Sequence, residues 1–81
     1  MDAVSIDVMA TKENIKTLIE KKELTPREIQ RALGLSSIQA IYKWTSPNNK
    51  SVPSLENLLL LAALLECNVE DIIKLVDLNK H

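Results

Sequence analysis

Apolar residues recur along this chain with two different periods, and the change of period marks its first boundary. Val4, Ile6 and Val8 alternate with Ser5 and Asp7, the spacing of a strand, so residues 1–10 read as a short extended arm. Such an arm can pair with another chain or lie across the body of the protein. Thr11 then has the chemistry of an N-cap. Ile15, Leu18 and Ile19 follow at helical spacing and predict a first helix ending near Lys22.

A second helix has a sharper start. In Thr25-Pro26-Arg27-Glu28 the threonine can cap, the proline suits the first helical position, and the Glu28 carboxylate can reach back to the Thr25 N–H. Ile29, Ala32 and Leu33 give its inner face, and Gly34, the only glycine in the chain, falls where the helix must stop and turn. Ser36-Ser37-Ile38-Gln39 repeats the cap logic, with Ser36 or Ser37 capping and Gln39 able to close a box. A third helix is therefore expected to about Thr45. Two capped helices joined by a short glycine turn are a helix-turn-helix at the level of sequence.

The polar stretch of residues 46–53 breaks the pattern. Ser54 then caps a fourth helix in which Leu55, Leu58, Leu59, Ala62 and Leu65 recur at helical spacing. Leu60, Leu61, Ala63 and Leu64 make it apolar nearly all round, which predicts the central, most buried helix. Asn68 caps a fifth, with Val69, Ile72, Ile73 and Val76 expected to face inward. The expected fold is an all-α, compact five-helix bundle containing the helix-turn-helix, with the arm in a strand at most. Its divisions are an arm at 1–10, a domain at 11–78 and a frayed tail at 79–81.

Composition narrows the chemistry. With 81 residues there is room for one domain, and with no Phe, one Trp and one Tyr its core must be aliphatic. A single cysteine, Cys67, and a single histidine, His81, supply neither a disulfide framework nor a metal-ligand set. No cofactor, metal or small-molecule ligand is expected, and no nucleophile stands with a paired acid and base, so catalysis is not expected either. The apolar run at residues 58–65 is far short of the roughly 20 residues that span a bilayer. A cytoplasmic setting without membrane partners is the expectation.

The net charge of −1 argues at first against a polyanionic partner. Its distribution reverses that. Residues 11–50 hold eight Lys and Arg against four Glu, while residues 51–81 hold five acids against two lysines. One region is basic and the remainder acidic. In the third helix Ile41 and Trp44 can point into the core with Ala40, leaving Gln39, Tyr42, Lys43 and Ser46 as an outer stripe. An amide for a base edge, a cation for phosphate or guanine and an amphipathic ring are what a helix in the major groove needs. An ordinary solvated helix face has the same look. Its position straight after a capped helix and a tight turn is what favours the first reading.

On these residues the chain resembles the XRE/Cro-type helix-turn-helix family of phage-repressor-like DNA-binding proteins. The landmarks are Thr25 and Ile29, the turn Leu33-Gly34-Leu35-Ser36, the run Gln39-Ala40-Ile41-Tyr42-Lys43-Trp44, then Pro53-Ser54-Leu55-Glu56-Asn57-Leu58 and Cys67-Asn68-Val69-Glu70-Asp71-Ile72-Ile73. The run from Gln39 to Trp44 is similar to that of a subgroup of small bacterial regulators. The resemblance implies a sequence-specific regulator of transcription bound to double-stranded DNA as a homodimer. It implies base readers at Ser37, Ile38, Gln39, Tyr42 and Lys43, and phosphate contacts at Thr25, Arg27, Lys43, Asn48, Asn49 and Lys50. Ile38 is open between touching a thymine methyl and packing inward.

Three departures stand against the family pattern. Pro26 replaces a phosphate-binding glutamine. Gln30 replaces a small residue and must bend outward or widen the helix contact. One extra residue lies between Gly34 and Ile41, which lengthens the turn. Trp44 and Cys67 read as core members, and His81 as a residue without a role. Apolar residues of the fourth and fifth helices exceed what one small core needs, so that face is expected to carry the dimer contact with the arm as an addition. The alternative is a protein-interaction module, such as an antitoxin-type partner, built on the same fold.

Overall fold

The computed structural model describes residues 4–77 of the chain. The start of the arm, the tail expected at 79–81 and His81 lie outside the described residues. In chain order the elements are β1 (Val4–Ile6), α1 (Val8–Lys21), α2 (Pro26–Leu33), α3 (Gln39–Thr45), α4 (Leu55–Leu64), α5 (Val69–Ile72) and β2 (Leu75–Asp77). The five expected helices are present, in the expected order. A two-stranded ribbon has been added to them.

The first helix starts earlier than the alternation suggested. Asp7, not Thr11, is its N-cap: the Asp7 carboxylate accepts the Ala10 N–H at 3.0 Å, and Thr11 N–H donates to the Asp7 carbonyl at 2.9 Å, already one turn in. Freed from capping, the buried Thr11 hydroxyl accepts the Lys74 N–H at 3.0 Å. Asp7 N–H donates to the Lys74 carbonyl at 2.7 Å, and the Asn14 side-chain amide donates to the Ile72 carbonyl at 3.0 Å. These long-range bonds clasp the end of α5 to the beginning of α1.

That clasp coincides with the end of α5. α5 stops at Ile72, and Val76, expected inside as a helical residue, lies in β2 and is exposed. β2 runs antiparallel to β1 in the register Val4↔Asp77, Ser5↔Val76, Ile6↔Leu75. The arm thus finds a partner within its own chain.

The core joins Ile15 and Ile19 of α1, Ile29 and Leu33 of α2, Ile41 and Trp44 of α3, Leu58, Leu61, Ala62 and Leu65 at α4, and Ile72 of α5. α1 packs on α3 and α5, and α2 packs on α3 and α4. α4 is not the wrapped central helix that its composition suggested. Residues 58, 61, 62 and 65 line one face, as 3.6 residues per turn require, while Leu55 is 73% and Leu59 54% exposed. Among the described residues α2 and α5 are its main packing partners, and Leu55, Leu59 and Leu60 on its other side stay exposed.

Candidate nucleic-acid interface

Local chemistry sets the α2–α3 unit. Thr25, in extended conformation, accepts the Glu28 N–H on its hydroxyl at 3.2 Å, and the Glu28 carboxylate accepts the Thr25 N–H at 2.8 Å. The Thr25 N–H first, and the Thr25 hydroxyl after it, hold the Glu28 carboxyl below the ordinary carboxylate range. α2 ends on Gly34 in the left-handed region, φ +66°, the conformation that glycine adopts without a Cβ penalty. Leu35 N–H returns to the Gln30 carbonyl at 3.0 Å, and the Gln30 side-chain amide donates to the Leu35 carbonyl at 3.3 Å. Gln30 therefore neither swings into solvent nor stands unused; it ties down the turn.

α3 begins two residues ahead of Ile41, at Gln39. Ile38 occupies the N-cap position in a helical conformation and makes no side-chain cap bond. The capping expected of Ser36 or Ser37, with a box closed by Gln39, is not formed. Instead the Ser37 hydroxyl accepts the Gln39 N–H at 3.0 Å, a two-residue side-chain turn that leads into the helix. Ser37 thus reaches the first amide of α3 and not the later ones that an N-cap side chain engages.

Within α3, Ile41 and Trp44 are buried and Ala40 packs partly against the core. Gln39, Lys43 and Tyr42, the last 52% exposed, make up the outer face, Ile38 is half-buried and Ser37 is exposed. Thr25 and Arg27 at the start of α2 are exposed, as are Asn48 and Lys50 beyond α3, whereas Asn49 is half-buried. The structure therefore leaves Ser37, Gln39, Tyr42 and Lys43 open on or beside one short helix.

Lys12 was missed by the sequence reading. It is 2% exposed, and its ammonium donates to the Lys43 carbonyl in the last turn of α3, to Asn49 Oδ1 at 3.0 Å and to the Ser51 carbonyl. Burial pushes this ammonium below the ordinary lysine range. A signal was available: Lys12, Ile15 and Ile19 are three and seven residues apart, so a helix begun at Val8 puts Lys12 on its apolar face. Cys67 is half-buried, and burial with Asp71 nearby raises its thiol pKa, as befits a packing residue.

A capped helix, a glycine turn and a second helix with one face in the core and a polar face outside define a helix-turn-helix of the DNA-binding class. The helix-turn-helix family profile matches residues 15–72, from the first helix to the end of α5. The chain belongs to the XRE-type helix-turn-helix family, whose members are DNA-binding regulators. No curated protein and no solved structure matches it significantly. Among the described residues no helix is long and apolar enough to cross a membrane.

Proposed function

We propose that the chain is a sequence-specific, repressor-like regulator of transcription that lays α3 in the major groove of double-stranded DNA. One observation carries this reading: Gln39, Tyr42 and Lys43 are exposed on the helix whose other face, Ile41 and Trp44, is locked in the core. A helix anchored in that way offers its polar side chains to base edges at a set distance from the body of the protein. Gln39 suits an adenine edge, Lys43 a guanine or a phosphate, and Ser37, Ile38 and Tyr42 complete the reading surface. Thr25 and Arg27 at the start of α2, with Asn48, Asn49 and Lys50 beyond the end of α3, suit phosphate oxygens. The setting would be the cytoplasm, and the active species a homodimer.

Selection of bound sequences from a random duplex pool tests the proposal. Enrichment of a pseudo-palindromic site, bound less tightly as salt rises, is the expected result. The bare leucines of α4 favour a second reading, a domain whose partner is a protein. Recovery of no sequence, with no salt-sensitive affinity for any duplex, would decide for that reading.

A further inference from the structure

Lys12 is a buried cation surrounded by neutral oxygens. Two of its three acceptors are backbone carbonyls and the third is an amide oxygen, with no carboxylate among them. An ammonium withdrawn from water is costly unless every proton is bonded, and here all three are. The Lys43 carbonyl belongs to the last turn of α3, where carbonyls carry the negative end of the helix dipole. One side chain from α1 thus holds both the end of α3 and the loop that follows it.

The same contacts decide which way round the Asn49 amide stands. Its Oδ1 accepts from two groups that can only donate, the Lys12 ammonium at 3.0 Å and the Ser51 N–H at 2.8 Å. The NH2 end of the amide cannot take that place, so the orientation follows from the partners. Among the described residues Asn49 Nδ2 makes no hydrogen bond, yet no buried side-chain polar atom lacks a partner. Nδ2 is therefore not fully buried, with two N–H donors to spare and a full positive charge bonded to the other end of the same amide.

We propose that Lys12 is a positioning residue for phosphate binding. It holds the Lys43 end of α3 against the 49–51 loop and turns the Asn49 NH2 outward, so that Asn49 donates to a DNA phosphate as a donor polarised by the buried cation. This rests on the reading that α3 and its following loop face DNA. The buried charge is shielded from salt ions in a way that an exposed lysine is not, so its influence on the bound phosphate persists at higher ionic strength. Lysine at this position serves the bound state, where an anion completes the line from ammonium through amide to phosphate.

A double-mutant cycle tests it, using the full chain and a fluorescein-labelled mixed-sequence duplex across a salt series. Lys12→Met and Asn49→Ala should each weaken binding by about ten- to a hundredfold, the worth of one hydrogen bond to a charged group. The double variant should be little worse than either single one, and Lys12→Arg, which keeps the charge, should recover part of the loss. Losses that multiply would overturn the proposal, as would an unchanged affinity for folded Lys12→Met. Should Lys12→Met not fold, the 15N resonance of the Lys12 ammonium is followed during duplex addition. It should shift in the wild type and stay put in Asn49→Ala; a shift in both, or in neither, overturns the proposal. Wild type that binds no duplex removes the DNA reading together with this one, whereas wild type that binds with independent effects removes this one alone.

Discussion

Gly34 stands at φ +66°, and a methyl group placed there would meet no atom within 4 Å. Its requirement is therefore conformational and not steric. Gly34→Ala should cost about 1–2 kcal/mol, the left-handed penalty of an L-residue, and Gly34→Asn less, because asparagine tolerates that region; urea denaturation of both variants separates the two causes. The capping box makes a second residue-level prediction. Thr25→Ala removes a cap worth about 1 kcal/mol. The Glu28 carboxyl is held low by its bonds to Thr25, so the folded state favours the charged form. Its contribution is complete above the ordinary carboxylate value of 4.5 and fades as pH falls through the lower folded value. Glu28→Gln keeps an acceptor but has nothing to titrate. Melting temperatures followed into acid should fall more steeply for wild type than for this variant, and parallel curves would show that the carboxylate is not held by the box.

On the scale of an element, α3 has one face in the core and one exposed, and substitutions on the two should differ in effect. Trp44 is almost wholly buried. Trp44→Ala should cost about 3–5 kcal/mol in stability, measured by thermal or denaturant unfolding, and a variant that melts like wild type would contradict the inward face assigned to the helix. Gln39 and Lys50 are exposed, so their variants should fold normally and differ only on DNA. Gln39→Ala should lose about 1–3 kcal/mol at one base pair and relax the preference there. Lys50→Ala should weaken all duplexes alike and flatten the log–log salt slope by about 1. Titration of both variants on matched and mismatched duplexes checks the division, and an unchanged base preference would remove Gln39 from the readers.

For the molecule as a whole, the bare side of α4 and the paired arm bear on assembly. Leu55, Leu59 and Leu60 remain exposed, apolar surface beyond what the core of one copy takes up. One recognition helix covers only a few base pairs, and two-fold assembly would place two in successive major-groove turns about 34 Å apart. The leucine face of α4 is the surface we assign to that contact. The arm is less suited to it than the alternation suggested, because β1 has already spent one edge on β2. Sedimentation equilibrium should find dimers, and Leu59→Glu should yield monomers that remain folded. A wild type that stays monomeric at high concentration and binds one per duplex would remove the dimer.

What could be read along the chain was local. The cap at Thr25, the stop at Gly34, the polar outer stripe from Gln39 to Lys43 and the inward pair Ile41 and Trp44 all depend on residues within about one or two turns of each other, and spacing along the chain reports such relations directly. The family landmarks carry the same local information. What tertiary structure alone decided lies far apart in sequence. Lys12 meets Lys43 and Asn49, and Thr11 meets Lys74; helical spacing puts Lys12 on the apolar face of α1, but the partners of each follow from packing alone. The leucine helix shows the boundary between the two: its sequence is apolar nearly all round, and its packing, chiefly against α2 and α5, selects which side becomes core. The strand at Leu75–Asp77 was hidden for the same reason, since a three-residue strand is held by its partner across the ribbon and not by its own composition.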